Sequence, residues 1–237
     1  MNISRNSIRA EDFEFKSLSA ANNYRAAILS NFRATLRGNV IEVGAGIGQI
    51  TDQLLRSPEI HKLTSIEPDA AFCAQIRGRF PDIDLVHGTI SDLQTKRDWN
   101  SILSINVLEH IETDERELET YHRLLKPANG ALCLFVPARP EIYAPIDKDF
   151  GHYRRYTRPE LRQKLEHAGF KIQKLRYFNV VGYFGWWATF CLLKKRSFDI
   201  HTVGLFDRLI FPVVYWTESH VCAPPFGQSL IAIATAS

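Results

Sequence analysis

The sequence predicts an α/β fold with a doubly wound, mostly parallel sheet of seven strands, and two observations carry that prediction. Short apolar, β-branched runs recur along the chain and alternate with helix-length amphipathic stretches. A glycine-rich turn joins the first run to the helix that follows it. Because strand, helix and parallel strand connect with a fixed hand, this alternation places helices on both faces of one sheet. The strand-like runs are residues 40–43, 63–67, 83–86, 99–105, 131–136, 170–178 and 229–235.

The composition is that of one globular domain spanning residues 1–237. The apolar share of 45% and the charged share of 23% are ordinary, and a net charge of +3 is too small to indicate nucleic acid as a partner. The N-terminus lacks the apolar segment of a signal peptide. The four cysteines lie far apart and form no C-x-x-C pair. We therefore expect a reduced, cytoplasmic protein without structural zinc.

The chain divides into a core and two additions. Residues 1–20 are polar and predicted to form a flexible arm, whereas residues 22–178 and 226–237 carry the strands and helices of the core. Residues 179–225, the insertion, are rich in aromatic residues and contain a basic run, Lys194–Arg196. This helical insertion before the last strand could cap a substrate site, form a dimer face or lie on a membrane surface. The ordinary overall hydropathy favours a cap or a subunit contact, in a monomer or homodimer.

The turn after the first strand combines three glycines with an acid. Gly44, Gly46 and Gly48 leave the backbone open to close approach by a ligand. Gln49 stands where the dinucleotide fingerprint has its third glycine, and the G-K-[ST] of a phosphate-binding P-loop is absent. Glu42 places a carboxylate at the end of the strand, where it would repel a pyrophosphate and suit a ligand with positive charge.

A second acid, Glu67, ends the second predicted strand and is followed by Pro68. An acid at this position commonly binds the hydroxyls of a ribose. The two acids together indicate a nucleoside with a cationic head and no phosphate, which is the description of S-adenosyl-L-methionine.

These residues and the later segment Ile105-Asn106-Val107-Leu108-Glu109-His110-Ile111 resemble the class I S-adenosylmethionine-dependent methyltransferases, in their type 11 small-molecule branch. The resemblance covers roughly residues 24–175 and the final strand. It implies a Rossmann-like methyltransferase fold in which the last two strands form an antiparallel hairpin at one edge.

The resemblance also implies which residues bind the cofactor. Asn106 and Val107 would hold its methionine part, and the turn at Thr89 and Ile90 would contact its adenine. An acid is common at that turn, so Asp92 could substitute for it or could simply cap a short helix. The predicted cofactor-binding residues are Tyr24, which could equally belong to the surface, and Glu42, Gly44, Gly46, Gly48, Glu67, Pro68, Thr89, Ile90, Asn106 and Val107.

Methyl transfer mainly requires alignment of the reactants and, for some acceptors, removal of a proton. His152, within a G-H-x-R-R-Y-T segment similar to one in type 11 relatives, is the first choice for the general base or for a group that orients the acceptor. Asp147 and Arg154 are candidates beside it, although this segment could instead serve only to pin the loop. His110 is a second candidate base, against a slightly favoured role in shaping the turn.

Tyr143, Arg154 and Trp186 are the predicted substrate-binding residues. The pair Asp147 and Asp149 could hold a metal, but no further ligands have suitable spacing, so metal independence is expected. The predicted function is methyl transfer by in-line displacement to an oxygen or nitrogen of a small or lipid-like metabolite, with an apolar or aromatic acceptor. The alternative is a non-catalytic S-adenosylmethionine-binding partner or regulatory subunit that uses residues 179–216 as an interaction surface.

Overall fold

The computed structural model describes residues 20–93, 97–197 and 199–236. The predicted flexible arm, residues 1–20, lies outside these ranges except for Ala20.

One sheet of seven strands runs through the molecule in the order β3-β2-β1-β4-β5-β7-β6. Strands β1 to β5 pair in parallel, and β7 lies antiparallel between β5 and β6. This confirms both the doubly wound sheet and the antiparallel edge hairpin. The strands are β1 (Gly38–Val43), β2 (Ile60–Glu67), β3 (Asp84–His87), β4 (Ser101–Ile105), β5 (Ala131–Pro137), β6 (Phe170–Phe178) and β7 (Ser229–Ala236).

Helices connect the strands and also form the insertion between β6 and β7. Their bounds are α1 (Asn22–Phe32), α2 (Gln49–Leu55), α3 (Ala70–Arg79), α4 (Asp114–Leu125), α5 (Pro145–Asp149), α6 (Arg158–His167), α7 (Val180–Trp186), α8 (Ile200–Leu205) and α9 (Phe211–His220). A π-helical segment, Trp187–Leu192, extends α7, and another, Phe206–Ile210, joins α8 to α9.

Two apolar cores cover the two faces of the sheet. Because side chains alternate along a strand, Val40 enters one core and Ile41 the other. Helices α4 and α6 close the core that contains Ile41, and α1 and α9 contribute to the core that contains Val40. The central strands are buried on both faces, which explains their continuous apolar sequences.

Asp114 is the first residue of α4 and stands three residues before Glu117, the spacing of a capping box, but Thr113 is the N-cap and makes no side-chain hydrogen bond. The Asp114 carboxylate instead accepts hydrogen bonds from the Tyr156 hydroxyl at 2.8 Å and from the Lys164 ammonium group at 2.9 Å. Residues 137–157, between β5 and α6, contain α5, which packs against the insertion in a small third core.

Helix α6 begins with a capping box. The Thr157 hydroxyl accepts from the Glu160 amide at 3.2 Å, and the Glu160 carboxylate accepts from the Thr157 amide. Within the described ranges, no helix has both the length and the apolar character needed to cross a membrane.

Candidate active site

The first cavity lies where the carboxyl ends of β1, β2 and β4 meet, and its volume is about 630 Å³. This is the edge where ligands bind in open α/β sheets. Arg25 and Ile28 of α1 also line it. Most of the predicted cofactor-binding residues are brought together here: Glu42, Gly44, Gly46, Glu67, Pro68, Thr89, Ile90, Asn106 and Val107.

The glycine turn adopts backbone angles that favour glycine. Gly44 has φ +72°, and a Cβ added there would collide with the Val107 side chain. Gly46 lines the cavity, and its amide donates to the Glu67 carboxylate at 2.7 Å. Gly48, with φ +77°, is the N-cap residue of α2 and does not line the first cavity.

Glu42 is a buried carboxylate at the floor of this cavity. Its Oε2 accepts hydrogen bonds from the hydroxyls of Thr51 and Ser65, both at 2.7 Å. Its Oε1 has no hydrogen-bond partner in the described part of the chain. Burial raises the pKa of Glu42 to about 7, although the two hydroxyl hydrogen bonds oppose this shift. A positively charged group at Oε1 would satisfy this oxygen and favour the ionised carboxylate.

Glu67 is held by two backbone amides. Asp69 donates to its Oε1 at 2.9 Å, and Gly46 donates to its Oε2. These bonds fix the second acid at the cavity wall. Asp92, in contrast, accepts from the amide and the hydroxyl of Thr89 at 2.8 and 3.0 Å, so it caps the short helix after β3.

A second cavity of about 370 Å³ adjoins the first, and Asn106 lines both. The insertion forms much of its wall. The predicted residues His152 and Trp186 lie here, and so does Tyr24, which was predicted to contact the cofactor. Burial raises the pKa of Tyr24 to about 12, so its hydroxyl stays protonated. Other aromatic side chains in the wall are Phe135, Phe150, Phe190 and Phe206.

His152 is 8% exposed and is oriented by a buried ion-pair network. Its Nδ1 lies 3.1 Å from Asp147 Oδ1, which also accepts from Arg155 Nε at 2.9 Å. Burial alone would raise the pKa of Asp147, but the hydrogen bond from His152 and the charge of Arg155 bring it below its usual value. Asp147 is therefore ionised, and it lies outside the linings of both cavities.

His110 lines the first cavity, and its ring meets that of His152 edge to face with 4.6 Å between centroids. Burial and the neighbouring His152 lower the pKa of His110 to about 3. His110 is therefore neutral at physiological pH.

One arrangement of donor groups could hold a metal ion. Donor atoms of Glu109, His110 and His152 all lie within 4.8 Å of one another. The carboxylate pair considered in the sequence does not form such a site, because Asp147 binds Arg155 while Asp149 binds Arg196 at 2.8 Å.

Two predicted substrate residues lie outside the linings of both cavities. Tyr143 donates its hydroxyl to the His152 carbonyl at 2.7 Å, and Arg154 pairs with Asp114 at 2.8 Å. Their substrate roles stay predictions. The structure adds Arg155, whose guanidinium stacks 4.4 Å from the Trp186 ring centroid and lines the second cavity. Other residues that the sequence did not single out for this cavity are Glu109, Asn179, Thr189 and Lys195.

Comparison with known proteins identifies the family of this chain. The methyltransferase domain family matches residues 18–175, which is more than half of the chain. A probable S-adenosylmethionine-dependent methyltransferase of Mycolicibacterium smegmatis is 26% identical over 138 residues, which is 57% of this chain and 52% of that protein. The chain thus spans about half the length of this curated relative.

Solved structures share the fold at low sequence identity. A methyltransferase from Haloferax volcanii, in complex with the activator Trm112, is 15% identical with a TM-score of 0.62, and the match covers 97% of this chain and 93% of that one. The 1,6-didemethyltoxoflavin-N1-methyltransferase of Burkholderia thailandensis, with its substrate and S-adenosylhomocysteine bound, is 18% identical with a TM-score of 0.58 over 91% and 78% of the chains. The chain belongs to the methyltransferase domain family.

Proposed function

We propose that this protein transfers a methyl group from S-adenosylmethionine to an oxygen or nitrogen of a small or lipid-like acceptor. The observation that carries the proposal is the pair of adjoining cavities that share Asn106. The first cavity is lined by Glu42, Glu67 and the backbone of the glycine turn, whereas the second is lined by aromatic side chains around His152. The chain can therefore hold a cationic nucleoside next to an apolar or aromatic acceptor.

The first cavity fits the cofactor on three counts. Glu42 Oε1 is a buried acceptor without a protein partner in the described ranges, Glu67 is fixed by backbone amides, and Gly44 leaves room that a side chain would fill. When bound, S-adenosylmethionine supplies a methyl group that is already activated by its sulfonium. Glu42 and Asn106 would hold the methionine part, and Glu67 would bind the ribose hydroxyls.

On the acceptor side, His152 is the proposed general base. Asp147 holds Nδ1, so the proton of an acceptor hydroxyl or amine passes to Nε2. The ionised Asp147 and the adjacent Arg155 keep the imidazole in place, as a carboxylate does for a catalytic histidine in general. Trp186 and Phe190 exclude water and would pack against the body of the acceptor.

The toxoflavin enzyme among the structural neighbours has a small heteroaromatic molecule as its bound substrate, which supports a small acceptor for this chain. The Haloferax neighbour is in complex with an activator protein, but the proposed state of this chain is a monomer or homodimer.

The first experiment is calorimetric titration with S-adenosylmethionine, with Glu67→Ala as the variant and NAD as the competing dinucleotide. We expect micromolar binding that Glu67→Ala weakens at least tenfold, and no binding of NAD. Failure of the folded wild type to bind S-adenosylmethionine would contradict the proposal.

The second experiment follows label from methyl-labelled S-adenosylmethionine into a panel of phenols, catechols and heteroaromatic amines. With an accepted compound, we expect His152→Asn to lower kcat about 100-fold and to leave cofactor affinity unchanged. His122→Asn, a change on α4 outside both cavities, is the matched control. A rate for His152→Asn within about threefold of wild type would remove His152 as the base.

The same assay tests the proposed metal independence. Dialysis against EDTA should leave the rate unchanged. A loss that Zn²⁺ or Mn²⁺ restores would instead assign a metal centre to Glu109, His110 and His152.

A further inference from the structure

The insertion carries most of the exposed apolar surface of the protein. Of the fourteen large apolar side chains that are exposed in the described chain, eleven lie between residues 184 and 221. Large exposed apolar patches on soluble proteins mark surfaces that bind something else.

The clearest part of this surface is a stripe along the helical segment from Ile200 to His220, which comprises α8, its π-helical continuation and α9. Its members recur at intervals of three or four residues and are each 58% to 67% exposed. We call Leu205, Leu209, Val213 and Trp216 the outer stripe.

The opposite face of the same segment is also apolar and is already used. Phe211 is buried, and Phe206 and Tyr215 pack against the core that contains Val40. A helix with apolar residues on two opposite faces is normally covered on both, by protein or by lipid. The described residues leave the outer stripe exposed, so it has a face that can still be covered.

The charged residues of the insertion indicate what kind of surface binds the outer stripe. Of the three acids in residues 179–225, Asp207 and Glu218 are buried and bind backbone amides of α1 and of the start of α7. Asp199 bonds its own helix start. The basic residues of the insertion, in contrast, are exposed: Lys194, Lys195 and Arg208, together with Arg196, which pairs with Asp149 of α5.

The outer stripe contains Trp216, and the exposed Arg208 lies in the same helical segment. An apolar stripe with a tryptophan and a basic residue, in an insertion whose lysines are also exposed, matches the surface of a bilayer that contains anionic lipid. A second copy of the chain fits less well, because a two-fold contact on this stripe would bring like basic groups together. We propose that the outer stripe docks the protein on an anionic membrane surface, without any helix crossing it.

This docking would also place the second cavity at the membrane. Phe190 of the first helical segment, residues 180–192, and Val203 and Phe206 of the second, residues 200–220, line that cavity. An apolar acceptor dissolved in the bilayer could then enter between the two segments. The docking itself does not depend on the proposed methyl transfer, so the two can fail separately.

The test is flotation of the purified full chain with vesicles of phosphatidylcholine alone and with vesicles in which about a third of the lipid is phosphatidylglycerol. We expect the wild type to partition at least tenfold better onto the anionic vesicles, and high salt to reverse this. Leu209→Ser/Val213→Ser should abolish flotation, and Arg208→Gln should weaken it about fivefold. Leu55→Ser changes an exposed leucine outside the insertion and should float like wild type.

Absence of wild-type flotation would overturn the proposal, and so would flotation that both insertion variants leave unchanged. A thermal melt by circular dichroism shows whether Leu209→Ser/Val213→Ser folds. If it does not fold, the result for Arg208→Gln decides the test. Light scattering is measured in parallel. A dimer that Leu209→Ser/Val213→Ser dissociates, together with no flotation, would assign the stripe to a second copy instead.

Discussion

Glu42 is a carboxylate whose pKa, raised to about 7 by burial, makes its charge depend on pH near neutrality. Below that pH, the folded protein without ligand carries a proton on Glu42. A cationic ligand favours the ionised carboxylate, so its binding must release that proton. The affinity for S-adenosylmethionine should therefore rise as pH increases towards 7 and level off above it.

We expect this group to strengthen cofactor binding by up to about tenfold between roughly pH 6 and pH 8. Glu42→Gln should remove that part of the pH dependence. Calorimetry in two buffers of different ionisation enthalpy measures the protons released on binding. Equal proton release from wild type and Glu42→Gln would show that another group is responsible.

The two aspartates of α5, Asp147 and Asp149, allow a matched comparison of how much a buried and an exposed ion pair contribute to stability. Asp147 is fully buried against Arg155, whereas Asp149 pairs with an Arg196 side chain that is 62% exposed. Asp147→Asn leaves a buried guanidinium without its counter-charge and should lower the free energy of unfolding by about 3 kcal/mol. Asp149→Asn should lower it by less than about 1 kcal/mol. Urea unfolding of both variants measures the difference, and equal losses would contradict the assigned network.

At the scale of single residues, the sequence shows which side chains are charged or aromatic, but it does not show which way each side chain points. Arg154 and Arg155 are consecutive, and only the fold shows that Arg155 faces the second cavity while Arg154 pairs with Asp114. The position of Tyr24 could not be predicted either, because its neighbours in the cavity wall come from β5 and the insertion.

Among the elements, the glycine turn between β1 and α2 makes the sharpest prediction. Gly44→Ala places a Cβ at positive φ and against Val107, so cofactor affinity should fall at least tenfold. Gly78→Ala is the control, because a Cβ at this helical position meets nothing within 4 Å. That variant should bind normally and gain up to about 1 kcal/mol of stability. Titration and thermal melts measure both effects, and full cofactor binding by Gly44→Ala would contradict the role of the turn.

The elements themselves were largely predictable, because continuous β-branched runs are typical of strands buried on both faces. The cap of α6 was predictable too, since Thr157 and Glu160 bond only to each other's backbone. The cap of α4 was not. Asp114 has the right residue type for a cap, but its carboxylate binds Tyr156 and Lys164, which are 42 and 50 residues away.

For the molecule as a whole, the buried acid Asp207 fastens the insertion to the core, and a second buried acid, Glu218, joins two helices within the insertion. α1 begins after Ala21, which cannot cap it, and Asp207 accepts from the amides of Asn23 and Tyr24 at 2.9 and 2.8 Å. Glu218 accepts in the same way from Asn179 and Val180 at the start of α7. Pairs that lie 184 residues apart leave no local pattern, so no sequence argument predicted them.

Asp207→Ala should cost about 1 to 2 kcal/mol of stability, because α1 loses its only carboxylate cap among the described contacts. Hydrogen exchange should speed up in α1 and in α8–α9, while β4 and β5 stay protected. Asp207→Asn retains an acceptor oxygen and should show a smaller change. Exchange that increases uniformly over the chain would contradict this local fastening.

The bond between Asp207 and α1 joins the walls of both cavities. α1 supplies Arg25 and Ile28 to the first cavity, and Asp207 itself lines the second. A ligand that orders the insertion will therefore also order α1, which forms part of the first cavity. The free energy of this coupling is the same whichever ligand binds first. Whatever factor the acceptor adds to cofactor affinity, the cofactor must return to the acceptor, even if the two ligands never touch.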